Sequence, residues 1–230
     1  MKSLPQILRD YPHFEKVISS EKPFRKLDFS ENNKDLLSRD LTETPTFSKY
    51  VFDEMLSQNQ YVGIGGYDEN RVIYRQREHF SNQENVRSIH LGVDIWADAG
   101  EPVYAPIAGE VHSFAFNNYF GDYGPTIILK HVLEDLPFYT LYGHLSLQSL
   151  GDFYAGKLIK AAEKIATIGS FPENGDWPPH LHFQIISDIE DKKGDFPGVS
   201  SIMDREYYLS VCPDPNLILR IGDLTQSFGS

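Results

Sequence analysis

Two histidines stand two residues apart in the stretch WPPHLHFQII (residues 177–186), after a Pro-Pro pair and before an apolar run. An imidazole can pack, bind a metal or move a proton, so the pair admits three kinds of role. In a β-strand, residues i and i+2 face the same side, which would direct His180 and His182 into one site while Leu181 and Phe183 face the core. The pair alone also fits a solvent-facing strand, and other residues must decide.

A second group of polar residues lies in the stretch SIHLGVDIW (residues 88–96). His90 and Asp94 are an even number of residues apart, so an extended chain presents both on one side, and Gly92 between them leaves room for close approach. Imidazole and carboxylate are suitable ligands for zinc. Alone, the two residues could equally form a turn-capping pair.

A third candidate is His144, which follows an aromatic run and a glycine in the stretch FYTLYGH (residues 138–144) at the exit of a predicted strand. Catalytic zinc sites use three protein ligands and keep one position open, whereas structural sites are closed by four ligands, usually rich in cysteine. Cys212 is the only cysteine. Two histidines and one carboxylate from five candidates would therefore fill three corners and leave two imidazoles for proton transfer.

Short β-type runs separated by Gly, Pro and Asp begin at Tyr61 and predict strands over residues 71–74, 103–105, 110–116, 126–130, 138–142, 164–168 and 181–186. Because no long helical segments separate these runs, the predicted fold is mainly β, an antiparallel sheet or sandwich. Residues 1–60 read as a charged, partly helical N-terminal extension, with short helices predicted over residues 12–20 and 47–58. We assign residues 61–215 to a catalytic domain, with a short helix at 204–209, and residues 216–230 to a C-terminal tail.

The composition narrows the class of protein. The 230 residues carry a formal net charge of −12, and no segment concentrates Lys and Arg, which argues against nucleic-acid binding. The single cysteine excludes an intrachain disulfide, and no stretch reaches the roughly 20 apolar residues of a membrane span. The first residues lack the apolar run of a secretion signal, which predicts a cytoplasmic protein, or a periplasmic or extracellular one if a leader has been removed. The sequence leaves the oligomeric state open.

Three motifs occur in order: HLGVD (residues 90–94), YGH (142–144) and HLHFQ (180–184). Together they resemble the lysostaphin-type, or LytM-like, zinc metalloendopeptidases, which cleave peptides of bacterial peptidoglycan. The segments 103–111 and 157–169 are also similar to connecting sequences of that family, so the resemblance covers roughly residues 61–190. It implies a barrel-sandwich-hybrid-like β fold, Zn²⁺ as cofactor and a peptide substrate such as peptidoglycan.

Carried over by position, the resemblance implies that His90, Asp94 and His182 bind zinc. His144 and His180 would then act on the water and the reacting carbonyl, and Tyr123 would stabilise the oxyanion. The chain departs from the family pattern in three respects: it shows no export signal, its first 60 residues resemble no wall-binding segment, and the part after Ile186 is longer than a minimal catalytic domain needs.

Other functions remain open from the residues. A non-catalytic binding module of the same fold would have lost a ligand, whereas all five candidate polar residues are present here. A sugar-phosphotransferase IIA domain also pairs histidines on a β-sandwich, but Asp94 fits it poorly, and a two-histidine, one-carboxylate set can also hold non-haem iron. Four aromatic residues near the motifs, which either line a substrate groove or cap the ends of the sheet, are Tyr119, Phe120, Tyr123 and Trp177.

Overall fold

The structure is a computed structural model that describes residues 2–76, 81–82 and 85–222. Its strands are β1 (Phe24–Leu27), β2 (Val62–Gly65), β3 (Ser81–Asn82), β4 (Asn85–His90), β5 (Val93–Trp96), β6 (Pro102–Tyr104), β7 (Gly109–Asn117), β8 (Gly124–Leu133), β9 (Leu136–Gly143), β10 (Leu158–Ile159), β11 (Lys164–Thr167), β12 (Leu181–Ile186) and β13 (Val199–Ser201). Its α-helices are α1 (Leu4–Asp10), α2 (Lys34–Leu37), α3 (Thr44–Lys49), α4 (Arg205–Val211) and α5 (Asn216–Leu219). A π-helix (Tyr50–Met55) continues α3, and 3₁₀ helices span Val72–Gln76 and Leu147–Leu150.

Eight strands form the main sheet in the order β1-β2-β5-β12-β9-β8-β7-β10, and all neighbours are antiparallel except β1 and β2. Strands β5, β12 and β9 lie side by side in its middle, whereas His90 ends β4, which pairs with β13 and β3 in a separate three-stranded sheet. His182 of β12 is opposite Asp94 of β5 and, on the other side, opposite Gly143 of β9. The register therefore brings the three sequence motifs, which are up to 94 residues apart, to one place in the sheet. The predicted mainly β, antiparallel fold is confirmed.

One face of the sheet packs against the two-stranded β6–β11 sheet and α1 to form the largest apolar core. Leu181, Phe183 and Ile185 of β12 point into this core, as the alternation of the sequence predicts. His182 and Gln184 of the same strand are buried on the opposite face. That face lies between two further apolar clusters, one built around Phe29, Phe47 and Trp96, the other around Tyr123, Ile128 and Phe196.

The N-terminal residues contribute both a strand of the main sheet and most of an apolar cluster that packs on it. Strand β1 extends the main sheet beside β2, and residues 27–56 supply most of the cluster around Trp96. The helix predicted at 47–58 corresponds to α3 and the π-helix that follows it, which together span residues 44–55. Helix α4 covers the predicted helix at 204–209.

Two predicted elements are wrong. Residues 12–20 are not helical, because their backbone groups pair with the strand beside them: Tyr104 N donates to Val17 O at 2.8 Å and Ile18 forms a bridge with Val103. Residues 72–76 form a 3₁₀ helix instead of a strand. Val72, Ile73 and Tyr74 are all buried in one cluster, which consecutive side chains reach from a tight helical turn more easily than from a strand.

The predicted tail at 216–230 begins with α5, and residues 223–230 lie outside the described part of the chain. Among the described residues, no helix has the length and apolar character that crossing a lipid bilayer requires.

Candidate metal centre

The three residues that the motifs predict as metal ligands converge on one point. His90 Nε2 lies 3.0 Å from His182 Nδ1 and 3.2 Å from Asp94 Oδ1, and His182 Nδ1 lies 3.1 Å from the same carboxylate oxygen. Three atoms bound to zinc at about 2.0 Å in tetrahedral geometry would be roughly 3.3 Å apart. Within the described ranges, these three residues are the one cluster of potential ligands whose atoms lie within 4.8 Å of one another.

Hydrogen bonds at the outer edge of each ring fix which nitrogen faces the centre. His90 Nδ1 lies 2.9 Å from Gly66 O, an oxygen that can only accept, so Nδ1 carries the proton. The side-chain amide of Gln184 donates to Pro197 O at 3.1 Å, which turns its oxygen towards His182. His182 Nε2 lies 2.8 Å from that oxygen and is therefore the protonated nitrogen of its ring. Nε2 of His90 and Nδ1 of His182 are left with lone pairs.

Three acceptors therefore face one another at about 3 Å without a hydrogen between them. Two imidazole lone pairs and a carboxylate oxygen in this arrangement repel one another unless a cation lies among them. Outer hydrogen bonds that orient ligating imidazoles are a regular feature of metal sites. The donor set, two neutral imidazoles and one carboxylate, fits zinc.

The charge states agree with this arrangement. Burial lowers the pKa of His90 to about 4, and the nearby Arg71 acts in the same direction, so the ring is neutral at pH 7. Burial alone would raise the pKa of Asp94, but His90, Arg71 and His180 outweigh it and hold the pKa well below its usual value. A metal requires its ligands deprotonated, and His90 and Asp94 meet that condition without a proton having to leave.

Gly92 makes the close packing possible, as the sequence predicts. A Cβ atom at this position would lie 2.6 Å from both Cε1 and Nε2 of His182, well inside contact distance. Any side chain here would displace the imidazole that faces Asp94.

His144 and His180 lie next to this centre, with their ring centroids 4.2 Å apart. His144 Nδ1 donates to Asn174 O at 2.8 Å and His180 Nδ1 donates to Pro178 O at 2.7 Å, so both rings keep Nε2 as an acceptor. His180 Nε2 lies 4.0 Å from Asp94 Oδ1, outside the ligand triangle, and its ring stacks on Trp96 at 4.2 Å.

The backbone at His144 is strained and firmly held. Its φ of 61° is in the left-handed region that residues other than glycine seldom adopt. His144 N donates to Tyr123 O at 2.7 Å, and Gly169 N donates to His144 O at 2.8 Å. This conformation ends β9 and directs the side chain into the cleft. Burial and the neighbouring His180 lower the pKa of His144 well below its usual value, and burial lowers that of His180 to about 4, so both are neutral at pH 7.

Tyr123 lies against the outer edge of His182. Its hydroxyl is 3.4 Å from His182 Nε2 and from Gln184 Oε1, on the side of the ring away from the ligand triangle. Burial, with Asp195 and Asp122 nearby, raises its pKa well above the usual value, so the hydroxyl keeps its proton. Its role as an oxyanion stabiliser stays a prediction.

The site opens into a cleft of about 220 Å³. Its walls include Trp177 and Tyr123, as the groove hypothesis predicts, whereas Tyr119 and Phe120 are exposed beside it. Two further wall segments come from parts of the chain to which the sequence assigned no chemistry, namely residues 71–74 and 195–199. Val199 packs in the same apolar cluster as Ile73, Tyr74 and Trp177, so these segments meet along one side of the cleft.

Sequence reasoning missed two residues that contact the ligands. Gln184 could have been found, because it is two residues after His182 and therefore on the same face of β12. Arg71, whose guanidinium Nη1 contacts Asp94 Oδ2, carries no comparable signal, since it is 23 residues from its partner in an irregular segment.

Comparison with known proteins supports the resemblance. The model of peptidase family M23 matches residues 88–194. A curated relative, an uncharacterized lipoprotein YgeR of Escherichia coli strain K12, is 38% identical over 94 residues, which are 41% of this chain and 33% of that protein. The chain thus spans about one third of the length of that relative.

Solved structures similar to the chain include an antimicrobial peptidase and an M23 protein. Lysostaphin of Staphylococcus simulans is 24% identical, with 61% of this chain and 48% of that chain covered and a TM-score of 0.40. The catalytic domain of the prophage-encoded M23 protein EnpA of Enterococcus faecalis, solved as a single-site mutant, is 20% identical, with 51% and 95% covered and a TM-score of 0.37.

The matched stretch contains all six predicted site residues and ends directly before the wall segment 195–199. The predicted resemblance is therefore confirmed at the level of peptidase family M23, whose model matches residues 88–194.

Proposed function

We propose that the protein is a zinc-dependent metalloendopeptidase that hydrolyses peptide bonds, with cross-links or stem peptides of peptidoglycan as its substrate class. The observation that carries this proposal is the triangle of His90 Nε2, Asp94 Oδ1 and His182 Nδ1, three acceptors about 3 Å apart without a hydrogen between them. Zinc held there would polarise the scissile carbonyl and activate a water molecule. The match to peptidase family M23 supports peptide hydrolysis as the reaction.

His144 and His180 are the bases of this proposal. Both are neutral at pH 7, both have Nδ1 held by a carbonyl oxygen, and both keep Nε2 free to accept a proton. One would take the proton of the attacking water, and the protonated ring would then hydrogen-bond to the developing oxyanion or protonate the leaving amine. Trp96 behind His180 and Asn174 behind His144 fix the ring positions, which saves the cost of orienting them during the reaction.

A peptidoglycan substrate implies a cellular location for the enzyme, because this polymer lies outside the cytoplasmic membrane. The proposal therefore favours the periplasmic or extracellular alternative, and a curated relative that is named a lipoprotein is consistent with it. Zinc is favoured over non-haem iron because His144 and His180 have a use in hydrolysis and none in iron chemistry.

Two measurements test the proposal. Elemental analysis of the purified protein should give one zinc per chain. Incubation with purified peptidoglycan should release new free amino groups, and a chelator should stop the release. If the protein binds zinc but frees no amino groups from peptidoglycan, the proposed metal site stands and the proposed substrate class is wrong. Defined peptides are then the next substrates to test. Absence of zinc after reconstitution would revive the non-catalytic binding module.

A further inference from the structure

We propose that Arg71 is a positioning residue of the metal centre, held by Glu69 and the N-terminal segment, and that it keeps Asp94 in a single-oxygen orientation. The inference rests on the metal site of the proposed function. It assigns a role to residues outside the part of the chain that matches peptidase family M23.

The two oxygens of Asp94 have separate partners. Oδ1 faces the ligand nitrogens of His90 and His182, whereas Oδ2 is bound by Arg71 Nη1. A carboxylate with both oxygens free can bind a metal through either or both. Because Arg71 occupies Oδ2, Asp94 can offer one atom, which keeps the number of ligating protein atoms at three and leaves a coordination position open for water or substrate.

Arg71 is itself fixed from three sides. Its Nε donates to Glu69 Oε2 at 2.9 Å and its Nη1 lies 3.0 Å from the Tyr74 hydroxyl. The side chain is 1% exposed, so these contacts are made away from water. Its Nη2 lies over Gly65, where a Cβ atom would come within 2.6 Å of it. Gly65 is opposite Asp94 in the sheet, so the absence of a side chain there gives the guanidinium its place beside the carboxylate.

The N-terminal segment holds Glu69 and Arg71 in place. Phe29 N donates to Glu69 Oε1 at 3.1 Å, and Val72 N donates to Phe29 O at 3.0 Å, so the backbone at Phe29 holds the chain on both sides of Arg71. The Phe29 ring lies 5.4 Å from the guanidinium carbon. A continuous path of contacts therefore leads from Phe29 through Glu69 and Arg71 to Asp94.

Charge and orientation predict opposite effects, which makes the role testable. Glu69, Arg71 and Asp94 carry one net negative charge, and removing Arg71 would leave two, so a purely electrostatic role predicts tighter metal binding without it. A positioning role predicts weaker binding, because outer-shell partners of metal ligands are typically worth about 10–100-fold in affinity or activity.

The experiment compares Arg71→Met and Arg71→Lys with Arg205→Met, which removes an arginine paired with Asp68 on the partly exposed surface. Co²⁺ is titrated into each metal-free protein, and affinity and the visible spectrum are recorded. We expect roughly 10–100-fold weaker binding and a spectrum of changed coordination number in both Arg71 variants. Arg205→Met should match the wild type.

A variant that changes no charge serves as a second test. Gly65→Ala should displace the guanidinium and shift the Co²⁺ spectrum in the same direction as Arg71→Lys, and it remains informative if Arg71→Met does not fold. Wild-type spectra and affinities in Arg71→Lys and Gly65→Ala would overturn the positioning role. Failure of the wild-type protein itself to bind Co²⁺ or zinc would instead overturn the proposed function.

Discussion

His131 and His182 lie on strands of the same sheet, two positions apart in the strand order, and both are almost fully buried. The difference between them is in what their nitrogens face. His131 Nδ1 donates to Ala108 O at 2.9 Å, and its Nε2 lies 2.8 Å from the Thr140 hydroxyl, which can donate to it. His182 has one such partner, Gln184, and its other nitrogen faces two further acceptors.

The comparison separates a histidine whose hydrogen bonds are complete from one that the proposed function assigns to a metal. Around His131, each hydrogen-bond acceptor has a possible donor, so all polar atoms are satisfied by protein groups alone. Around His182, the inner acceptors of the neutral ring arrangement have no donor among them, and a bound cation would complete the group. Burial and strand position are alike in the two cases, and the balance of donors and acceptors is the distinguishing property.

The largest expected effect is from His182→Ala. If the proposed function is right, this variant loses one zinc ligand, so stoichiometric zinc should disappear and turnover should fall by more than the roughly 100-fold that loss of an outer hydrogen-bond partner costs. The matched control is His131→Ala, which should destabilise the fold by about 2–5 kcal/mol yet keep one zinc per folded chain. If the folded His131 variant loses its zinc, the distinction drawn between His131 and His182 is wrong.

The neighbours of the centre should respond differently from its ligands. His180→Ala and His144→Ala should each retain zinc, because neither ring belongs to the ligand triangle, while turnover falls by about 10²–10⁴-fold as for loss of a general base. Zinc content and turnover are measured on the same preparation. If His180→Ala loses its metal as well, the division of roles between His180 and His182 is wrong.

The stability contributed by His131 should depend on pH. Burial lowers its pKa to about 4 from 6.5, opposed by the hydrogen bond to Ala108 O, so between these values the unfolded chain binds more protons than the folded one. The free energy of unfolding should therefore fall as pH is lowered from about 6.5 to about 4, by about 3 kcal/mol from this residue. Chemical unfolding of the wild type and His131→Gln at pH 7 and pH 4.5 checks the sign. An equally steep loss in the variant would contradict it.

The smallest expected effect comes from the residue that orients the ligating ring. Gln184→Leu removes the acceptor for His182 Nε2 and should weaken zinc binding by about 10–100-fold, measured by competition with a chelator. Thr140→Val makes the corresponding change beside His131 and should cost about 1–3 kcal/mol in stability with unchanged zinc affinity. Equal zinc affinities in the two variants would show that the hydrogen bond between His182 Nε2 and Gln184 Oε1 does not contribute to zinc binding.

The sequence predicted those parts of the site that depend on strand geometry. His90, Asp94 and His182 were predicted because the motifs resemble a family, and period-2 alternation correctly separates His182 from the core-facing residues of β12. His90 ends β4 and Asp94 lies in β5, so the alternation of a single strand does not relate these two residues. Gly92 was correctly expected to allow close approach. These features depend on neighbours within a few residues.

The contributions of Arg71, Glu69 and Pro197 could not be predicted, because each depends on contacts between distant segments. The run RVIY at 71–74 has the pattern of a strand. In the structure, however, Arg71 binds Asp94, and the three residues after it pack into an apolar cluster. Likewise, the apolar spacing in residues 14–18 favoured a helix, yet the pairing of Ile18 with Val103 decides the conformation. Tertiary contacts overrode local pattern in both places.

If zinc binds as proposed, the hydrogen bond from Gln184 to Pro197 bears on when the protein can acquire it during synthesis. Before Pro197 and Cys212 have left the ribosome, the Gln184 amide nitrogen lacks both of its acceptors, and His182 can hold its proton on either nitrogen. A growing chain that already contains all three ligands would therefore still lack a settled donor set. We expect metal uptake to follow completion of the chain past these residues, which makes loading a maturation step and not a template for early folding.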